Sequence, residues 1–439
     1  MNQTVEPGNT LLVDGPASVS VISGKAEVFG SIVDSSNKIV IRESKRLPFV
    51  VCETASFGIS LGESAAAEVV AGNTVPPSWM KACEELLKVE HRPITAMVLG
   101  AVDSGKTSFA TYLINKLLSM KIKGAILDGD LGQSDIGPPS TLAYAYLTKP
   151  ITDLFDLRAK NAIFVGITSP SSAVDKVIDS MCKLKEEVLT CNPGFIVINT
   201  DGWVEGEEAL SYKMRLVNKL KPDVVFCIQQ KDEMAPLLNN IGNLEKVVVD
   251  SPPAIKQRSR EKRRSLRELG YVKYMRNAKM QSLSLGWLKI EGNEVLGMKK
   301  TPPTARRAQR IYELLGMKPL HYAELEDRVS IVIGRTRWVH EDRVRKIEEF
   351  ANKKVAIIRK GEEEGLLAGF HDAHRKFLGI GILQEVDYNR RTARILTPVS
   401  KEIAIVTLGK IKLDKNMKEI PAFAEETEMP TTNQGTLAQ

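Results

Sequence analysis

Residues 94–118 read ITAMVLGAVDSGKTSFATYLINKLL, and this stretch predicts the fold of the central part of the chain. Residues 94–99 form an apolar run with the length of a buried strand, and apolar residues recur at helical spacing from Phe109 onward. Between them, residues 100–107 fit the pattern of glycine, four residues, glycine, lysine and serine or threonine. A strand, a glycine loop and a helix in this order predict a phosphate-binding loop.

A loop of this kind is suited to one anion, because its backbone N–H groups and the positive end of the helix dipole point to the same place. Lys106 can then reach the outer phosphates of a nucleoside triphosphate, and the Thr107 hydroxyl can ligate Mg²⁺. A purely structural glycine turn is the alternative. The predicted nucleotide-binding residues are Gly100, Ala101, Val102, Asp103, Ser104, Gly105, Lys106, Thr107 and Ser108.

The composition is that of a globular protein with more than one domain. The chain has 439 residues, 43% of them hydrophobic and 26% charged, and its net charge is +7. One hydrophobic core rarely extends over such a length, so about two to four domains are expected. The N-terminal residues lack the pattern of a secretion signal, and no apolar run is long enough for a membrane span. A cytoplasmic location is therefore expected.

Hydrophobic patterning predicts three domains and a tail. Residues 1–75 read as short strands between turn residues, which predicts an N-terminal β-sandwich. Residues 76–280 alternate strands with helices, which predicts an α/β P-loop NTPase domain with a mostly parallel, doubly wound sheet and a basic lid. Residues 281–420 predict a C-terminal β-rich domain, either a small barrel or an α+β fold. Residues 421–439 are polar and acidic and are expected to be disordered.

In the central domain, functional groups are expected at the carboxyl ends of the strands. Ser78 is the expected N-cap of the first helix. Separate N-terminal strands are predicted at residues 19–22, 26–29, 38–42, 49–52 and 57–61. Central strands are predicted at 94–99, 125–128, 162–167, 195–199, 223–228 and 246–250, and helices at 79–88, 174–189 and 207–220.

Two carboxylates follow the predicted strand at residues 125–128, where the sequence continues as DGDLGQSD from Asp128 to Asp135. Beside a phosphate-binding loop, a carboxylate at a strand end holds Mg²⁺ directly or through water. One of Asp128 and Asp130 can serve the metal while the other faces the attacking group as a base. The spacing does not assign the two roles. An Asp-Gly turn with solvated carboxylates is the alternative.

The next two predicted strands end in polar and aromatic residues. Thr168 follows one of them, and Thr200 and Trp203 follow the other. Trp203 comes after a glycine at a strand end, which is an unusual place for a core tryptophan. It could form a platform for stacking a nucleobase, or it could simply pack against its neighbours.

A basic stretch at residues 256–267 follows the last predicted central strand. Most charge runs are solvated helix faces, and that interpretation stays open here. At this position a lid is favoured, because arginines there could neutralise charge on a transferred phosphoryl group or grip a nucleic-acid backbone. The candidate lid arginines are Arg258, Arg260, Arg263 and Arg264.

Five elements in this order resemble a known family. The sequences GAVDSGKT, DGDLGQSD, GITSP and INTDGW, followed by the arginine-rich stretch, are similar to those of the polynucleotide 5′-hydroxyl kinases. That family includes the kinase subunit of the eukaryotic pre-mRNA 3′-end cleavage factor, ribosomal-RNA-processing kinases and archaeal relatives. The length of this chain is typical of an archaeal-type member.

The resemblance implies roles for individual residues. Lys106 and Thr107 would hold the phosphates of ATP and Mg²⁺, and Asp128 would lie near the metal and the RNA 5′-hydroxyl. Asp130 and Gln133 would complete that motif. The residues at the two strand ends would bind the acceptor, with Thr200 and Trp203 forming a clasp for the terminal nucleotide, and the lid arginines would close over the triphosphate.

The expected reaction is therefore transfer of the γ-phosphate of ATP to the 5′-hydroxyl of RNA, with DNA as a further candidate acceptor. One alternative is an ATP-binding scaffold subunit of an RNA-processing complex with weak or no kinase activity. Another is a GTPase-like switch, but residues 228–232 read IQQKD and lack the Asn-Lys-x-Asp element that reads guanine. The flanking domains are expected to offer surfaces for RNA-processing protein partners, and no membrane partner is expected.

Overall fold

In the computed structural model, the described residues are 1–292, 296, 305–324 and 328–420. The predicted disordered tail at 421–439 lies outside them. The chain forms two compact units. Unit 1 consists of Met1–Arg276, Gly369–Gly379 and Ser400–Ile405, and unit 2 consists of the described residues within 277–368, 380–399 and 406–420.

Unit 1 begins with a seven-stranded antiparallel sheet. Burial alternates along its strands as expected for a sheet with one covered face; in β5, for example, Ile39 and Ile41 are buried while Lys38 and Val40 are exposed. The strands are β1 (Asn2–Val5), β2 (Asn9–Asp14), β3 (Ala17–Val28), β4 (Ser31–Val33), β5 (Lys38–Ile41), β6 (Arg46–Leu61) and β7 (Ala67–Ala71).

Two long strands replace four of the predicted short ones. Residues 19–22 and 26–29 fall largely in the single strand β3, and residues 49–52 and 57–61 fall in β6. Gly24 lies between the predicted strands 19–22 and 26–29, but it does not interrupt β3. It has a φ of +78° beside register shifts in the β3–β6 ladder, and an added Cβ would lie 2.2 Å from the Thr54 carbonyl oxygen. A glycine in such a bulge bends the strand and lets the pairing continue.

A second seven-stranded sheet forms the centre of unit 1, in the order β11-β10-β9-β12-β8-β13-β14. Five neighbouring strands are parallel, and β10 runs antiparallel between β9 and β11. The strand β10 was missing from the sequence-based prediction. The strands are β8 (Ile94–Gly100), β9 (Gly124–Gly129), β10 (Thr141–Leu147), β11 (Asn161–Phe164), β12 (Phe195–Thr200), β13 (Val224–Gln229) and β14 (Glu245–Asp250).

Both faces of the central sheet are covered, which confirms the predicted P-loop α/β fold. Alternate residues of β8 enter different hydrophobic cores, with Val98 in one and Leu99 in the other. The core that contains Val98 also contains residues of the N-terminal sheet such as Phe49. The helices of unit 1 are α1 (Pro77–Leu87), α2 (Lys106–Ser119), α3 (Val174–Leu189), α4 (Glu207–Leu220), α5 (Ala235–Asn240) and α6 (Arg260–Tyr274), with 3₁₀ turns at Leu154–Asp156 and Pro170–Ser172.

The predicted cap of the first helix is wrong. Helix α1 begins at Pro77 with Pro76 as its N-cap, and no side chain caps it. Proline suits the first helical position because its φ is preset and it has no N–H to satisfy. The Ser78 hydroxyl instead accepts a hydrogen bond of 3.0 Å from the backbone N–H of Asp250.

The chain beyond residue 276 forms a seven-stranded antiparallel sheet and a three-stranded sheet β17-β18-β19. Helices α7 and α8 bury apolar residues such as Ile311 and Ile347 in one core with β18. In the described part of the chain, no helix is both long and apolar enough to cross a membrane. The elements are β15 (Lys279–Ser284), β16 (Lys289–Glu291), α7 (Ala305–Leu315), β17 (His321–Glu324), β18 (Arg328–Ile333), α8 (Glu341–Ala351), β19 (Lys354–Arg359), β20 (Leu366–His371), β21 (Phe377–Asp387), β22 (Thr392–Thr397), β23 (Ile405–Leu413) and β24 (Glu419–Ile420).

Candidate active site

The glycine loop connects β8 to α2 in a conformation that exposes its backbone. Asp103 and Gly105 have positive φ values of 54° and 98°. A Cβ on Gly105 would lie 2.9 Å from Pro252 Cδ, and a Cβ on Gly202 would lie 2.8 Å from the backbone nitrogen of Val102. These close approaches explain why glycine is needed on the loop and opposite it.

Lys106 is buried at the first position of α2, and its Nζ donates a hydrogen bond of 2.7 Å to the Ala101 carbonyl oxygen. Burial lowers the pKa of Lys106 to about 8, although the nearby charge of Asp130 acts in the opposite direction. The Ser104 hydroxyl is also buried, and no atom of the described residues forms a hydrogen bond with it. A bound anion at this loop would provide partners for polar groups of this kind.

A cavity of about 640 Å³ within unit 1 opens beside the loop. Its size is typical of a site for a small molecule. Its walls include residues 101–108 of the glycine loop. They also include Asp130, Gln133, Thr168 and Trp203, which follow the carboxyl ends of β9, β11 and β12. Further charged residues on its walls are Arg42, Glu43, Lys45, Arg46, Asp135, Asp201, Glu205, Lys256, Arg258, Arg263 and Arg267.

The structure separates the two carboxylates of the DGDLGQSD sequence. Asp130 lines the cavity, and its Oδ1 accepts hydrogen bonds from the backbone N–H groups of Gly132 and Gln133. Asp128 is fully buried and does not line the cavity. Its carboxylate accepts from the Asp135 N–H at 2.9 Å and from Asn199 Nδ2 at 3.1 Å, so it organises the loop that carries Asp130.

The pKa values of both carboxylates are raised, which favours their protonated forms. Burial, together with the charges of Asp135 and Asp130, raises the pKa of Asp128 to about 7. Burial and the charge of Asp201 also raise the pKa of Asp130, against the opposing charge of Lys106. Asp130 thus lies among charged groups on the cavity wall, whereas Asp128 acts on the cavity only through the loop.

Asp201 is a cavity residue that the sequence-based prediction missed. It directly follows β12, and its carboxylate accepts hydrogen bonds from Lys213 Nζ and the Tyr212 hydroxyl, each at 2.9 Å. Its Oδ1 accepts from the Trp203 N–H at 3.0 Å, and the Trp203 ring stacks on Tyr212 with centroids 5.6 Å apart. An acidic residue at a strand end directly before Gly-Trp was a signal that could have found it.

Thr168 and Thr200 have different surroundings, although both were predicted to bind substrate. Thr168 lines the cavity. Thr200 is buried and does not line it, and its hydroxyl donates to the Val98 carbonyl oxygen at 2.8 Å. Thr200 therefore ties β12 to the strand that carries the glycine loop.

The four candidate lid arginines divide into two pairs. Arg258 and Arg263 line the cavity, and both face the Asp103 carboxylate of the glycine loop, at 3.5 Å and 3.4 Å. Arg260 is exposed and Arg264 pairs with Glu268 at 3.1 Å, and neither lines the cavity. The geometry therefore favours Arg258 and Arg263 as the arginines that face a bound group.

The N-terminal sheet also contributes to the cavity. Arg42 and Lys45 come from the end of β5 and the connection to β6. Arg42 forms ion pairs with Asp135 and Asp153, and its guanidinium lies 4.2 Å from the centroid of Phe155. No local pattern in the sequence pointed to these cations, because their role depends on how two sheets pack.

Comparison with known proteins shows what this chain is similar to. Residues 100–277 match the family described as the P-loop of the mRNA cleavage and polyadenylation factor CLP1. The chain is 27% identical over 342 residues to a polyribonucleotide 5′-hydroxyl-kinase of Methanocaldococcus jannaschii, which covers 76% of this chain and 91% of the relative. It is 24% identical over 357 residues to one of Pyrococcus abyssi, which covers 81% and 97%.

Among solved structures, the chain is similar to Clp1p in its complex with Pcf11p. The TM-score is 0.66 at 13% sequence identity, and the alignment covers 94% of this chain and 97% of Clp1p. The likeness extends over almost the whole chain and concerns the fold. The glycine loop, the carboxylates after β9 and the basic helix α6 all fall within residues 100–277, so the features around this cavity lie in the segment that is similar to the CLP1 P-loop family.

Proposed function

We propose that this protein is an ATP-dependent polynucleotide 5′-hydroxyl kinase that transfers the γ-phosphate of ATP to the 5′-hydroxyl of RNA, with DNA as a further candidate acceptor. The observation that carries the proposal is that one cavity is lined by Lys106, a cation of the glycine loop, and by Asp130, a carboxylate that follows β9. The names of the archaeal relatives support the same reaction.

On the donor side, the glycine loop would cradle the phosphates and Lys106 would neutralise their charge. Arg258 and Arg263 are the lid cations that face the same loop. Phosphoryl transfer depends mainly on positioning and on neutralising charge, so these cations are expected to carry most of the acceleration. Arg260 and Arg264 are the weaker candidates, because neither lines the cavity.

Thr107 and Asp130 are the residues on the cavity that fit a magnesium ion, since hydroxyl and carboxylate oxygens are the ligands that Mg²⁺ prefers. When bound, Mg²⁺ would neutralise charge that develops on the phosphates. Asp128, the metal ligand expected from the sequence, would act instead by holding the loop that carries Asp130.

On the acceptor side, Asp130 is the candidate base for the 5′-hydroxyl. Gln133, Thr168 and Trp203 line the wall near it and would hold the terminal nucleotide. Trp203 is held by both the Asp201 carboxylate and the Tyr212 ring. A tryptophan whose orientation is set in this way is a suitable stacking surface for a base.

The test is incubation of the protein with γ-labelled ATP and matched 5′-hydroxyl oligonucleotides of RNA and DNA. We expect label transfer to RNA, and we expect Lys106→Ala to lower the rate by at least roughly 100-fold with the fold retained, as judged by circular dichroism. Lys25→Ala is the matched control, because Lys25 does not line the cavity and its side chain is 52% exposed.

Three results would contradict the proposal. ATP binding without transfer to any 5′-hydroxyl acceptor would support an ATP-binding scaffold instead. Substantial turnover by Lys106→Ala would reject the mechanism. A strong preference for GTP over ATP would favour a GTPase-like switch.

A further inference from the structure

A tryptophan of unit 2 lies on the surface in a loop rich in arginine. The loop joins β18 to α8 and reads GRTRWVH from Gly334 to His340. Trp338 is 73% exposed, whereas Trp79 of unit 1 is fully buried. Solitary exposed apolar residues are common, but a tryptophan exposes an unusually large apolar surface.

The fold also brings an arginine from the neighbouring strand β19 into contact with this tryptophan. Strands β18 and β19 are parallel, and Ile333 at the end of β18 pairs in register with Arg359 at the end of β19. The loop after β18 therefore starts at the sheet edge where β19 ends. The Arg359 guanidinium lies 3.6 Å from the centroid of the Trp338 ring. Cation–π contact of this kind restrains the ring while leaving much of its surface accessible.

The loop is anchored, so its exposed residues have a defined position. Val339 packs against the core formed by α7, α8 and β18. The Arg337 N–H donates to the Gly334 carbonyl oxygen at 3.0 Å, which closes a turn. Residues 335–338 are all exposed. The turn and the buried valine together present Arg335, Arg337 and Trp338 to solvent.

Nearby carboxylates pair with residues other than Arg337 and Arg359. Glu364 pairs with Arg335 at 3.2 Å, and Asp342 pairs with His340 at 3.3 Å. Glu341 is 3.8 Å from Arg345. No ion-pair partner of Arg337 is found among the described residues, and Arg359 contacts the tryptophan ring. The surface around Trp338 thus has uncompensated positive charge beside an accessible aromatic face.

We propose that the Trp338 loop, defined as residues 334–340 together with Arg359, is a binding site for single-stranded nucleic acid. A base stacks on Trp338, and Arg337 contacts a backbone phosphate, which is the combination that non-sequence-specific single-strand sites use. The proposal rests on the proposed function only in the choice of RNA as the strand. An acidic peptide could form ion pairs with the arginines, but it has no nucleobase to stack on the flat face of Trp338.

The experiment uses a fluorescent circular oligouridylate and the full-length protein. A circular strand has no 5′ end, so its binding does not depend on terminus recognition in the cavity of unit 1 or on catalysis. We expect Trp338→Ala to weaken binding roughly 5- to 150-fold, which is the range for loss of one stacked base. Trp338→Phe should restore much of the affinity.

Trp287→Ala is the matched control, because Trp287 is 91% exposed in unit 2 but lies outside the Trp338 loop. It should bind the circle as the wild type does. Arg337→Gln should reduce the slope of log affinity against log salt by about 0.7, as expected for one lost phosphate contact to a single strand.

Wild-type affinity for the circle in both Trp338→Ala and Arg337→Gln would overturn the proposal. So would equally tight binding of polyglutamate, measured by competition, since it would identify a surface for acidic peptides. Neither result would bear on the kinase assay, and a protein without kinase activity could still bind the circle through Trp338.

Discussion

Lys106 is a buried lysine whose charge is only partly compensated in the free protein. Its Nζ is 2.7 Å from one carbonyl oxygen, and burial lowers its pKa to about 8. A triphosphate beside Nζ would favour the protonated form and raise this pKa again. Above pH 8 the nucleotide complex would then hold more protons than the free protein.

This difference predicts how nucleotide binding depends on pH. We expect the affinity for a non-hydrolysable ATP analogue to be nearly constant below the free-protein pKa of about 8 and to fall above it. The slope should approach about tenfold per pH unit, since one proton is taken up on binding. Isothermal titration calorimetry in buffers of different ionisation enthalpy would measure both the affinity and the proton uptake.

Lys106→Arg serves as the control for this prediction. Arginine stays protonated over the whole pH range. The variant should therefore bind the ATP analogue with a changed affinity, but this affinity should not fall above pH 8. If the affinity of the variant fell above pH 8 as that of the wild type does, another group would be responsible, and Lys106 would be excluded as the titrating residue.

At the scale of elements, helix α6 is tied to the glycine loop. Ser259 caps the helix by accepting from the Lys262 N–H at 3.1 Å. Just before the cap, the Arg258 N–H donates to Asp103 Oδ2 at 2.8 Å. With Arg258 and Arg263 facing the same carboxylate, one aspartate of the loop holds both candidate lid arginines near the phosphate site.

Asp103→Asn is expected to loosen this connection. Asparagine tolerates the positive φ at this position, so the change removes charge with little backbone strain. A hydrogen bond to a neutral acceptor is weaker than one to a carboxylate by about 1 kcal/mol. Amide hydrogen exchange over residues 258–263 should therefore become about fivefold faster, as measured by mass spectrometry.

Asp175→Asn is the matched control for Asp103→Asn. Asp175 also pairs with an arginine, Arg215, but its side chain is 84% exposed and lies in α3. Its loss should leave exchange at residues 258–263 unchanged. Unchanged exchange in Asp103→Asn as well would show that the helix is held by other contacts, such as the bond from Arg258 Nη2 to the Ser44 carbonyl oxygen.

At the scale of unit 1, charges join the N-terminal sheet to the central sheet. Arg42 and Lys45 meet Asp135 and Asp153, which come from the connections that follow β9 and β10. Burial alone would raise the pKa of Asp153, but the charges of Lys45 and Arg42 outweigh it and hold the pKa well below its ordinary value. This carboxylate therefore stabilises the fold at neutral pH.

Arg42→Met is expected to destabilise unit 1 by about 3 kcal/mol, because it leaves two largely buried carboxylates without their main partner. As the pH falls below the ordinary aspartate pKa of about 4, the unfolded chain takes up a proton at Asp153 that the folded protein does not, so the contribution of Asp153 declines and is lost when the pH reaches the lowered pKa of the folded state. The difference between the variant and the wild type should shrink over the same range. The difference in free energy of unfolding would be measured by urea unfolding, with the unfolding of unit 1 monitored by hydrogen exchange of its peptides.

Lys25→Met is the control for Arg42→Met. Lys25 pairs with Glu53 at 3.1 Å, but the side chains are 52% and 61% exposed, so the change should cost less than about 1 kcal/mol. Equal effects of the two substitutions, or an effect of Arg42→Met that persists at low pH, would argue against this role for the Arg42 ion pairs.

Local patterns in the sequence predicted much of the central domain. Helices α3 and α4 have the predicted bounds, because an amphipathic period of this length is a strong signal. The loop between β8 and α2 was predicted from its glycines and its lysine. In contrast, β10 was missed, although its seven residues include Tyr144 and Tyr146 and lie between prolines, which are signals of a strand.

The sequence by itself determined the P-loop fold and the kinds of chemical groups around the loop, because strand period, helix period and glycine spacing are local properties of the chain. Only the tertiary structure decided which groups reach the cavity. It placed Asp130 on the wall and Asp128 behind it, turned Arg258 and Arg263 towards Asp103, and added Arg42 from another sheet. These choices depend on burial and on contacts between residues far apart in sequence, and no local pattern records them.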